Sequence, residues 1–317
     1  MVEEVRKISV IGAGLMGHGI AQVFASHGMQ VCLCDIKKEL LVKALKQIES
    51  NLNLMATKGI GRKSDIAQII SRIKTTTDIN ESADGQIIIE AVFENLELKQ
   101  EVMQKLDSIC SVKTIITSNT SVISITEIAA KAKHRERIVG THFWNPPYLI
   151  PLVEVVKAKD TSNQVMESTY QVLKKVGKYP VRVWKDVPGF LANRLQHALW
   201  REAISIVEHG IADAATVDEA IKNGFGLRLP ILGPMENADM VGLDLTLSIH
   251  DYILKDLEAS PYPSKLLQEK VNKGELGFKS GHGFQAWSPK QIEKSRERLL
   301  NYLIEWTKRE KFNIQGK

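Results

Sequence analysis

The hydrophobic positions of the chain follow two patterns that change near residue 186. Over the first 185 residues, short apolar stretches alternate with longer stretches in which apolar positions recur every three or four residues. Short apolar stretches predict buried strands, and the longer periodic stretches predict amphipathic helices. The predicted strands lie at residues 8–11, 31–34, 86–90, 114–118, 137–141, 153–156 and 181–184.

The strands and helices predicted for this first part alternate along the chain. The helical stretches fall at residues 16–25, 37–55, 97–109, 124–131 and 165–175. Such alternation builds a parallel, doubly wound sheet of the Rossmann type, whose ligands bind beyond the carboxyl ends of the strands. We therefore expect an α/β domain over residues 1–186.

The remainder of the chain carries almost no strand signal after Trp184. Apolar residues recur there at helical spacing, which predicts a long amphipathic helix through Leu191, Leu195, Leu199, Ala203 and Val207. We expect an all-α domain over residues 187–317 that binds the substrate and forms the interface of a homodimer. The homodimer is expected because this helix and residues 227–232 are more apolar than one small domain needs for its own core.

A glycine-rich turn joins the first predicted strand to the first predicted helix. It reads Gly12-Ala13-Gly14-Leu15-Met16-Gly17. The first glycine permits a tight turn, the second lets backbone N–H groups approach a pyrophosphate, and the third lets the helix pack close to the strand. A bare motif of this kind often marks only a turn, but here strand, helix and second strand follow in order. The turn predicts a dinucleotide site.

The second predicted strand ends on an acid, Asp35, which lies 23 residues after Gly12. In dinucleotide-binding units an acid at roughly 20 residues from the turn accepts the ribose hydroxyls. Because a carboxylate repels a 2′-phosphate, the sequence predicts NAD rather than NADP as the cofactor.

Composition narrows the class of protein. The chain has 317 residues, 44% of them hydrophobic, which is enough for two domains. No apolar run reaches the roughly 18 residues of a membrane span, and residues 1–6 do not resemble a targeting segment.

The 42 basic and 37 acidic residues are interspersed, so a net charge of +5 does not indicate binding of nucleic acid. Three cysteines without metal-ligand spacing indicate reduced thiols and no metal site, and we expect a cytoplasmic protein.

Polar side chains follow two of the predicted strands. Ser118-Asn119-Thr120-Ser121 ends one strand, and His142 ends the next, with Glu154 twelve residues further on. When a secondary alcohol loses a hydride to nicotinamide, its hydroxyl proton needs a base, and the pKa of His lies nearest neutrality. A carboxylate behind the imidazole would orient it and stabilise its protonated form. A lone His at a strand end is more often structural, so this pattern alone makes His142 only a candidate base.

Several ordered motifs resemble those of the 3-hydroxyacyl-CoA dehydrogenases over nearly the whole chain. Besides the glycine turn they are Glu94-Asn95-Leu96-Glu97-Leu98-Lys99, Ser118-Asn119-Thr120-Ser121, His142-Phe143-Trp144-Asn145-Pro146, Val187-Pro188-Gly189-Phe190 with Asn193-Arg194, and Gly233-Pro234-Met235-Glu236 with Gly242-Leu243-Asp244. The resemblance implies an NAD-dependent oxidoreductase of that fold, with fatty acid metabolism as its setting.

The resemblance also implies roles for individual residues. His142 and Glu154 match the family's catalytic base and its partner in type and spacing. Ser121 and Asn193 match the residues that hydrogen-bond the substrate. The residues that it implies at the cofactor are Gly12, Gly14, Leu15, Met16, Gly17, Asp35, Glu94, Lys99, Asn119 and Asn145.

Different parts of the sequence resemble relatives that act on different substrates. Residues 57–59, 233–244 and 277–284 resemble the 3-hydroxybutyryl-CoA dehydrogenases. In contrast, residues 145–154, with their doubled proline and Tyr148, resemble the branch of L-gulonate 3-dehydrogenase (lambda-crystallin), carnitine dehydrogenase and a bacterial dehydrogenase of pyridine-derived vitamin B6 breakdown products. We favour a short L-3-hydroxyacyl-CoA such as 3-hydroxybutyryl-CoA. Its phosphates would meet the basic residues Lys46, Lys58, Arg62 and Lys63.

Two alternatives remain. A small free hydroxy acid or alcohol would need only donors within the pocket, near Asn193, Tyr148 and Arg228. The second alternative is a structural protein that binds NAD without turnover. It stays open because lambda-crystallin, a structural protein, falls within the same resemblance. The presence of His142, Glu154, Ser121 and Asn193 argues against a role without turnover.

Overall fold

The structure is a computed structural model that describes residues 5–315, and side chains for residues 5–309. Residues 1–4, part of the stretch on which the expectation about targeting depends, lie outside the described residues. Within the described part, no helix combines the length and the apolarity that crossing a membrane requires.

Strands and helices alternate as far as residue 183, and the described residues beyond it form helices and two isolated β-bridges but no strand. The strands are β1 Lys7–Ile11, β2 Gln30–Cys34, β3 Ile73–Thr76, β4 Ile87–Glu90, β5 Ile115–Ser118, β6 Ile138–Phe143, β7 Leu152–Val156 and β8 Tyr179–Val183. The helices are α1 Leu15–Ser26, α2 Lys38–Thr57, α3 Ile66–Ser71, α4 Leu96–Ile109, α5 Ile125–Ile128, α6 Asn163–Lys175, α7 Ala192–Glu208, α8 Ala214–Asn223, α9 Pro234–Val241, α10 Leu243–Ile253, α11 Lys265–Asn272 and α12 Pro289–Gln315.

The eight strands form one sheet in the order β3-β2-β1-β4-β5-β6-β7-β8. This arrangement confirms the predicted Rossmann-type fold followed by a helical part. One detail of the prediction was wrong, because β7 runs antiparallel to β6 while the other neighbouring pairs are parallel. The physical reason is the link between β6 and β7, residues 144–151, which is too short for the crossover of a dozen or more residues that a parallel pair requires.

Helices cover both faces of the sheet, so successive residues of its central strands are buried in different clusters. In β4, for example, Ile87 and Ile89 belong to one apolar cluster and Ile88 to the other. Strands buried on both faces read as continuous apolar runs, which is why the sequence predicted them without alternation. Of the cysteines, Cys34 and Cys110 are buried and Cys32 is half-buried, and all three are free thiols.

The chain divides into two compact units, Met1–Arg194 with Leu299–Lys317, and Leu195–Arg298. The first unit holds the sheet. It includes the start of α7 because the backbone N–H groups of Leu191 and Ala192 bond to Glu154. It also includes the end of α12. The boundary expected at residue 186 stays a prediction.

Candidate active site

His142 and Glu154 face each other across the antiparallel pair of strands. His142 lies on β6, Glu154 lies on β7, and the register places them directly opposite. Side chains opposite one another in an antiparallel pair lie on the same face of the sheet. The His142 Nδ1 and Glu154 Oε2 atoms are 2.7 Å apart, and both side chains are buried. The strand register therefore creates the pair that the sequence spacing and the family resemblance suggested.

Glu154 is ionised and fixed in place. Burial alone would raise the pKa of its carboxyl, but the hydrogen bond from His142 and those from the backbone N–H groups of Ala192 and Leu191 outweigh burial, so the pKa is below its ordinary value. A carboxylate at Nδ1 holds the proton of a neutral imidazole on that nitrogen. Nε2 is then unprotonated and can accept a proton from a substrate.

Two aromatic residues that the sequence analysis did not single out enclose His142. The rings of Trp144 and Phe190 lie 5.4 Å and 5.9 Å from the imidazole, centroid to centroid. The Trp144 indole N–H also donates to Glu154 Oε2 at 3.4 Å. Phe190 has a positive φ of 50°, which is uncommon without glycine. The preceding Pro188-Gly189 was the available signal for such a turn.

The glycine turn has the geometry that a pyrophosphate requires. A Cβ on Gly12 would lie 2.6 Å from the Ala91 carbonyl oxygen, and a Cβ on Gly17 would lie 1.7 Å from the Gly12 oxygen. A Cβ on Gly14 would have no atom within 4 Å, and Gly14 is the N-cap of α1, which therefore has no side-chain cap. The first N–H groups of the helix are thus available for an anion. Within the turn, at the start of α1, Leu15 is exposed and Met16 is half-buried.

Asp35 lies directly after β2, beside the glycine turn. Its Oδ2 atom accepts a hydrogen bond from the Ala13 N–H at 2.7 Å, and its Oδ1 accepts one from Lys37 N–H at 3.2 Å. The carboxylate therefore orders the turn, in addition to the ribose contact expected of it.

Lys99 belongs to a charge network at the ends of β4 and β5, together with the buried Glu90 and the partly exposed Glu94. The Lys99 ammonium is 2.8 Å from Glu90 Oε1 and 3.3 Å from Glu94 Oε2. Glu90 also accepts a hydrogen bond from Ser118 Oγ at 2.6 Å. Lys99 is 1% exposed, so its charge is directed to the two carboxylates. Sequence analysis missed Glu90, although a charged residue at the end of an apolar strand needs a partner when it is buried.

Glu94 in turn shapes the loop that follows β5. It accepts hydrogen bonds from Thr120 Oγ1 at 2.5 Å and from the Ser121 N–H at 3.0 Å. Burial acts to raise the pKa of the Glu94 carboxyl, but the Thr120 hydrogen bond and the Lys99 charge outweigh it and lower the pKa. The loop that carries Ser121 is therefore held by a carboxylate that stays ionised at neutral pH.

The two residues expected to bind substrate lie together. The Asn193 side-chain N–H donates to the Ser121 carbonyl oxygen at 2.9 Å, which links the first turn of α7 to the loop after β5. Asn119 is buried, and its Oδ1 accepts from the Phe143 N–H at 2.9 Å, so it joins the ends of β5 and β6. Asn145 is exposed just beyond β6.

These features share one edge of the sheet. β1, β4, β5 and β6 are neighbours and parallel, so their carboxyl ends lie along the same edge of the sheet. Glu90 and His142 lie at these ends, and the glycine turn and the Ser121 loop follow them. Three strand spacings of about 4.8 Å separate β1 from β6. A dinucleotide whose pyrophosphate lies at β1 can therefore extend along this edge towards His142.

The other unit contains Arg228, which was expected to contact a free acid. Arg228 lines a cavity of about 280 Å³ together with Asn237, Thr246 and His250. Across the described residues, no three His, Cys, Asp or Glu side chains come together as metal ligands.

Comparison with known proteins assigns the family. The family model described as "3-hydroxyacyl-CoA dehydrogenase, NAD binding domain" matches residues 7–187, and the model of the C-terminal domain of the same family matches residues 189–287. The chain belongs to the 3-hydroxyacyl-CoA dehydrogenase family. It is an NAD-dependent dehydrogenase, which confirms the predictions of an enzyme and of its cofactor.

Relatives in this family carry different substrate names. The chain is 38% identical to a "Probable 3-hydroxybutyryl-CoA dehydrogenase" of Bacillus subtilis, over 90% of this chain and 99% of that protein. It is 34% identical to the "5-formyl-3-hydroxy-2-methylpyridine 4-carboxylate 5-dehydrogenase" of Mesorhizobium japonicum, over 93% of this chain and 96% of that protein.

Solved structures show the same division. A crystal structure of the pyridine-carboxylate dehydrogenase has a TM-score of 0.88 at 32% identity and covers 96% of this chain and 98% of its own. The (S)-3-hydroxybutyryl-CoA dehydrogenase from Ralstonia eutropha has a TM-score of 0.76 at 36% identity. It covers 90% of this chain and 100% of its own.

Proposed function

We propose that the chain oxidises a secondary alcohol to a ketone, with His142 as the general base and Glu154 as its partner. The observation that carries the proposal is the buried 2.7 Å contact between the two side chains, at the sheet edge that holds the glycine turn. Bound NAD supplies the hydride acceptor. His142 Nε2 takes the hydroxyl proton, and the Glu154 carboxylate stabilises the resulting imidazolium.

The substrate that we favour is a short L-3-hydroxyacyl-CoA, such as 3-hydroxybutyryl-CoA. The family and the relatives named 3-hydroxybutyryl-CoA dehydrogenase support this choice. So do the exposed cations on α2 and on the loop after it, which could meet the phosphates of CoA: Lys46, Lys58, Arg62 and Lys63. Ser121 and Asn193 are proposed to hold the substrate near His142.

A small free hydroxy acid or alcohol is the second candidate, and one observation favours it. The pyridine-carboxylate dehydrogenase matches more of this chain, with the higher TM-score, than the 3-hydroxybutyryl-CoA dehydrogenase does. The doubled proline after Asn145, which set the sequence apart from the acyl-CoA pattern, agrees with this candidate.

The experiment is a comparison of turnover of several substrates by the purified protein, followed as NADH formation and, for the pyridine carboxylate, also as loss of its formyl group. The panel holds 3-hydroxybutyryl-CoA, free 3-hydroxybutyrate, L-gulonate, L-carnitine and the pyridine carboxylate named above. We expect the largest kcat/KM with 3-hydroxybutyryl-CoA. A free acid that exceeds the thioester by about tenfold in kcat/KM would replace the first candidate by the second. Turnover of none would contradict both.

A homodimer, a cytoplasmic location and a place in fatty acid metabolism remain predictions. The homodimer is supported by the large apolar side chains exposed in the helical unit, among them Leu195, Leu227 and Ile231.

A further inference from the structure

The second half of α12 returns to the unit that holds the sheet and buries one side chain there. Ile304 is 1% exposed, and it is the one buried residue among the α12 side chains that the structure describes. It packs in a small apolar cluster with Ile60 and Leu149, and Leu300 and Leu303 of the same helix lie against that cluster. This part of α12 therefore has a specific attachment point.

The attachment joins two segments that are distant in sequence. Ile60 lies in the loop after α2, where Gly59 adopts a positive φ of 84° and a Cβ there would lie 3.7 Å from Lys308 Cε. Leu149 belongs to residues 145–151, which we call the proline segment and which links β6 to β7. α12 thus fastens the proline segment to the end of α2.

The proline segment is also held at two other points. Pro147 packs against α1 at Gly19, because a Cβ on that glycine would lie 2.9 Å from Pro147 Cδ. The Lys178 ammonium donates to the carbonyl oxygens of Pro147 and Ile150, the latter at 2.9 Å. Burial lowers the pKa of Lys178 to about 8, in agreement with its enclosed position. A segment held at its apolar side chains and its carbonyls keeps one conformation.

The same segment leaves the catalytic strand close to the reacting groups. Asn145 is three residues beyond His142, and between them Trp144 contacts both the imidazole ring and the Glu154 carboxylate. A shift of the proline segment would therefore change the shape of the site beside His142.

We infer that α12 determines substrate specificity, because Ile304 holds the proline segment as a fixed wall beside His142. The inference depends on the proposed function, whose substrate pocket this wall would bound. α12 begins at Pro289, beyond the C-terminal domain that defines the family, which ends at residue 287. Its contacts are with Ile60 and with Leu149 of the proline segment, and selection among substrates is the role that they fit.

The test compares Ile304→Ala with Leu299→Ala, a control on the same helix whose side chain is 58% exposed. Each variant is assayed with NAD and the panel of five substrates. We expect Ile304→Ala to raise KM for the preferred substrate and to lower its kcat/KM advantage over the next substrate by about fivefold or more. The affinity for NADH, measured by fluorescence, should stay within about twofold of wild type. Ile304→Val, which removes one methyl group, should act in the same direction and keep the fold.

A lower melting temperature with an unchanged substrate ratio in both Ile304 variants would show a purely structural role and overturn the inference. Hydrogen exchange of residues 145–151 provides a readout that is independent of turnover. We expect faster exchange in Ile304→Ala than in Leu299→Ala, and equal exchange would also overturn the inference. If the wild-type protein turns over none of the panel, the proposed function fails and the exchange measurement alone decides.

Discussion

The two oxygens of Glu154 have separate sets of partners. Oε2 faces His142 Nδ1 and the indole N–H of Trp144, and Oε1 accepts from the backbone N–H groups of Leu191 and Ala192. Four donors around one buried carboxylate leave it a single orientation. The imidazole is therefore positioned by a group that is itself fixed from two elements of the fold.

This arrangement predicts the effect of removing either member of the pair. His142→Gln should lower kcat by roughly 10² to 10⁴, the contribution typical of general-base catalysis, with little change in NADH affinity. Glu154→Gln should act on the same step, so the double variant should lose clearly less than the product of the two single losses. Steady-state kinetics with the preferred substrate measure these effects. Full activity in either single variant would remove that residue from the mechanism.

Asp35 predicts the choice between NAD and NADP. Asp35→Asn should erode the preference for NAD because it removes the negative charge that repels a 2′-phosphate, while its amide oxygen can still accept from Ala13 N–H. Asp35→Ala removes both, so it should also weaken NAD binding by loosening the turn. The measurement is kcat/KM for the two cofactors in each variant. Equal values for NAD and NADP in the wild-type protein would refute the assignment.

At the scale of elements, the strands differed in how well the sequence predicted them. The short, mainly apolar runs of β1 and β4 identify buried strands because both faces of the sheet are covered. β3 was missed because three of its four residues, Ile73-Lys74-Thr75-Thr76, are polar, as an edge strand allows. The direction of β7 could not be read from its own residues, because the length of the link before it decides the direction.

The residues of the candidate site also differ in how well the sequence predicted them. The resemblance to the family implied His142, Glu154, Ser121 and Asn193. In the structure His142 contacts Glu154, and Asn193 contacts Ser121. The partners of these groups were not predictable. Glu90 meets Lys99 only because β4 and α4 pack side by side, and Leu149 meets Ile304 across 155 residues of sequence. Such contacts depend on tertiary structure, for which a single sequence carries no periodic signal.

The loop after α2 carries a prediction that belongs to this scale. Lys58, Arg62 and Lys63 are exposed, and the ion pair of Arg62 with Asp65 is at the surface, so replacing all three by Ala should not unfold the protein. If CoA phosphates bind here, KM for 3-hydroxybutyryl-CoA should rise about tenfold, which corresponds to roughly 1.4 kcal/mol of uniform binding, with kcat similar.

The control for the loop replaces three exposed lysines elsewhere on the same unit, Lys131, Lys133 and Lys159. It removes the same net charge and should leave KM for the thioester unchanged. The loop variant should also leave KM unchanged for a free acid such as L-gulonate, because a free acid does not reach the cations of the loop. Equal effects of the loop variant and the control would mean that only the overall charge matters.

At the scale of the whole molecule, the distribution of exposed apolar side chains is uneven. Residues 195–298 expose many large apolar side chains, for example Leu227 at 67%, Ile231 at 80% and Leu243 at 63%. So many exposed large apolar side chains in one unit are unusual for a monomer and typical of a subunit interface. Burial of one such side chain contributes about 1.5–3 kcal/mol, so several together are enough for stable association.

We therefore predict a homodimer through this helical unit, and light scattering at micromolar concentration should report about twice the 35.4 kDa of one chain. Ile231→Asp should shift the mass towards the monomer, because it would place a charge in the apolar interface. Val112→Asp is the matched control, since Val112 is 66% exposed but lies in the unit that holds the sheet, and it should leave the mass unchanged. A wild-type mass near that of a single chain would rule out the dimer. A dimer that Ile231→Asp leaves intact and Val112→Asp dissociates would place the interface on the other unit.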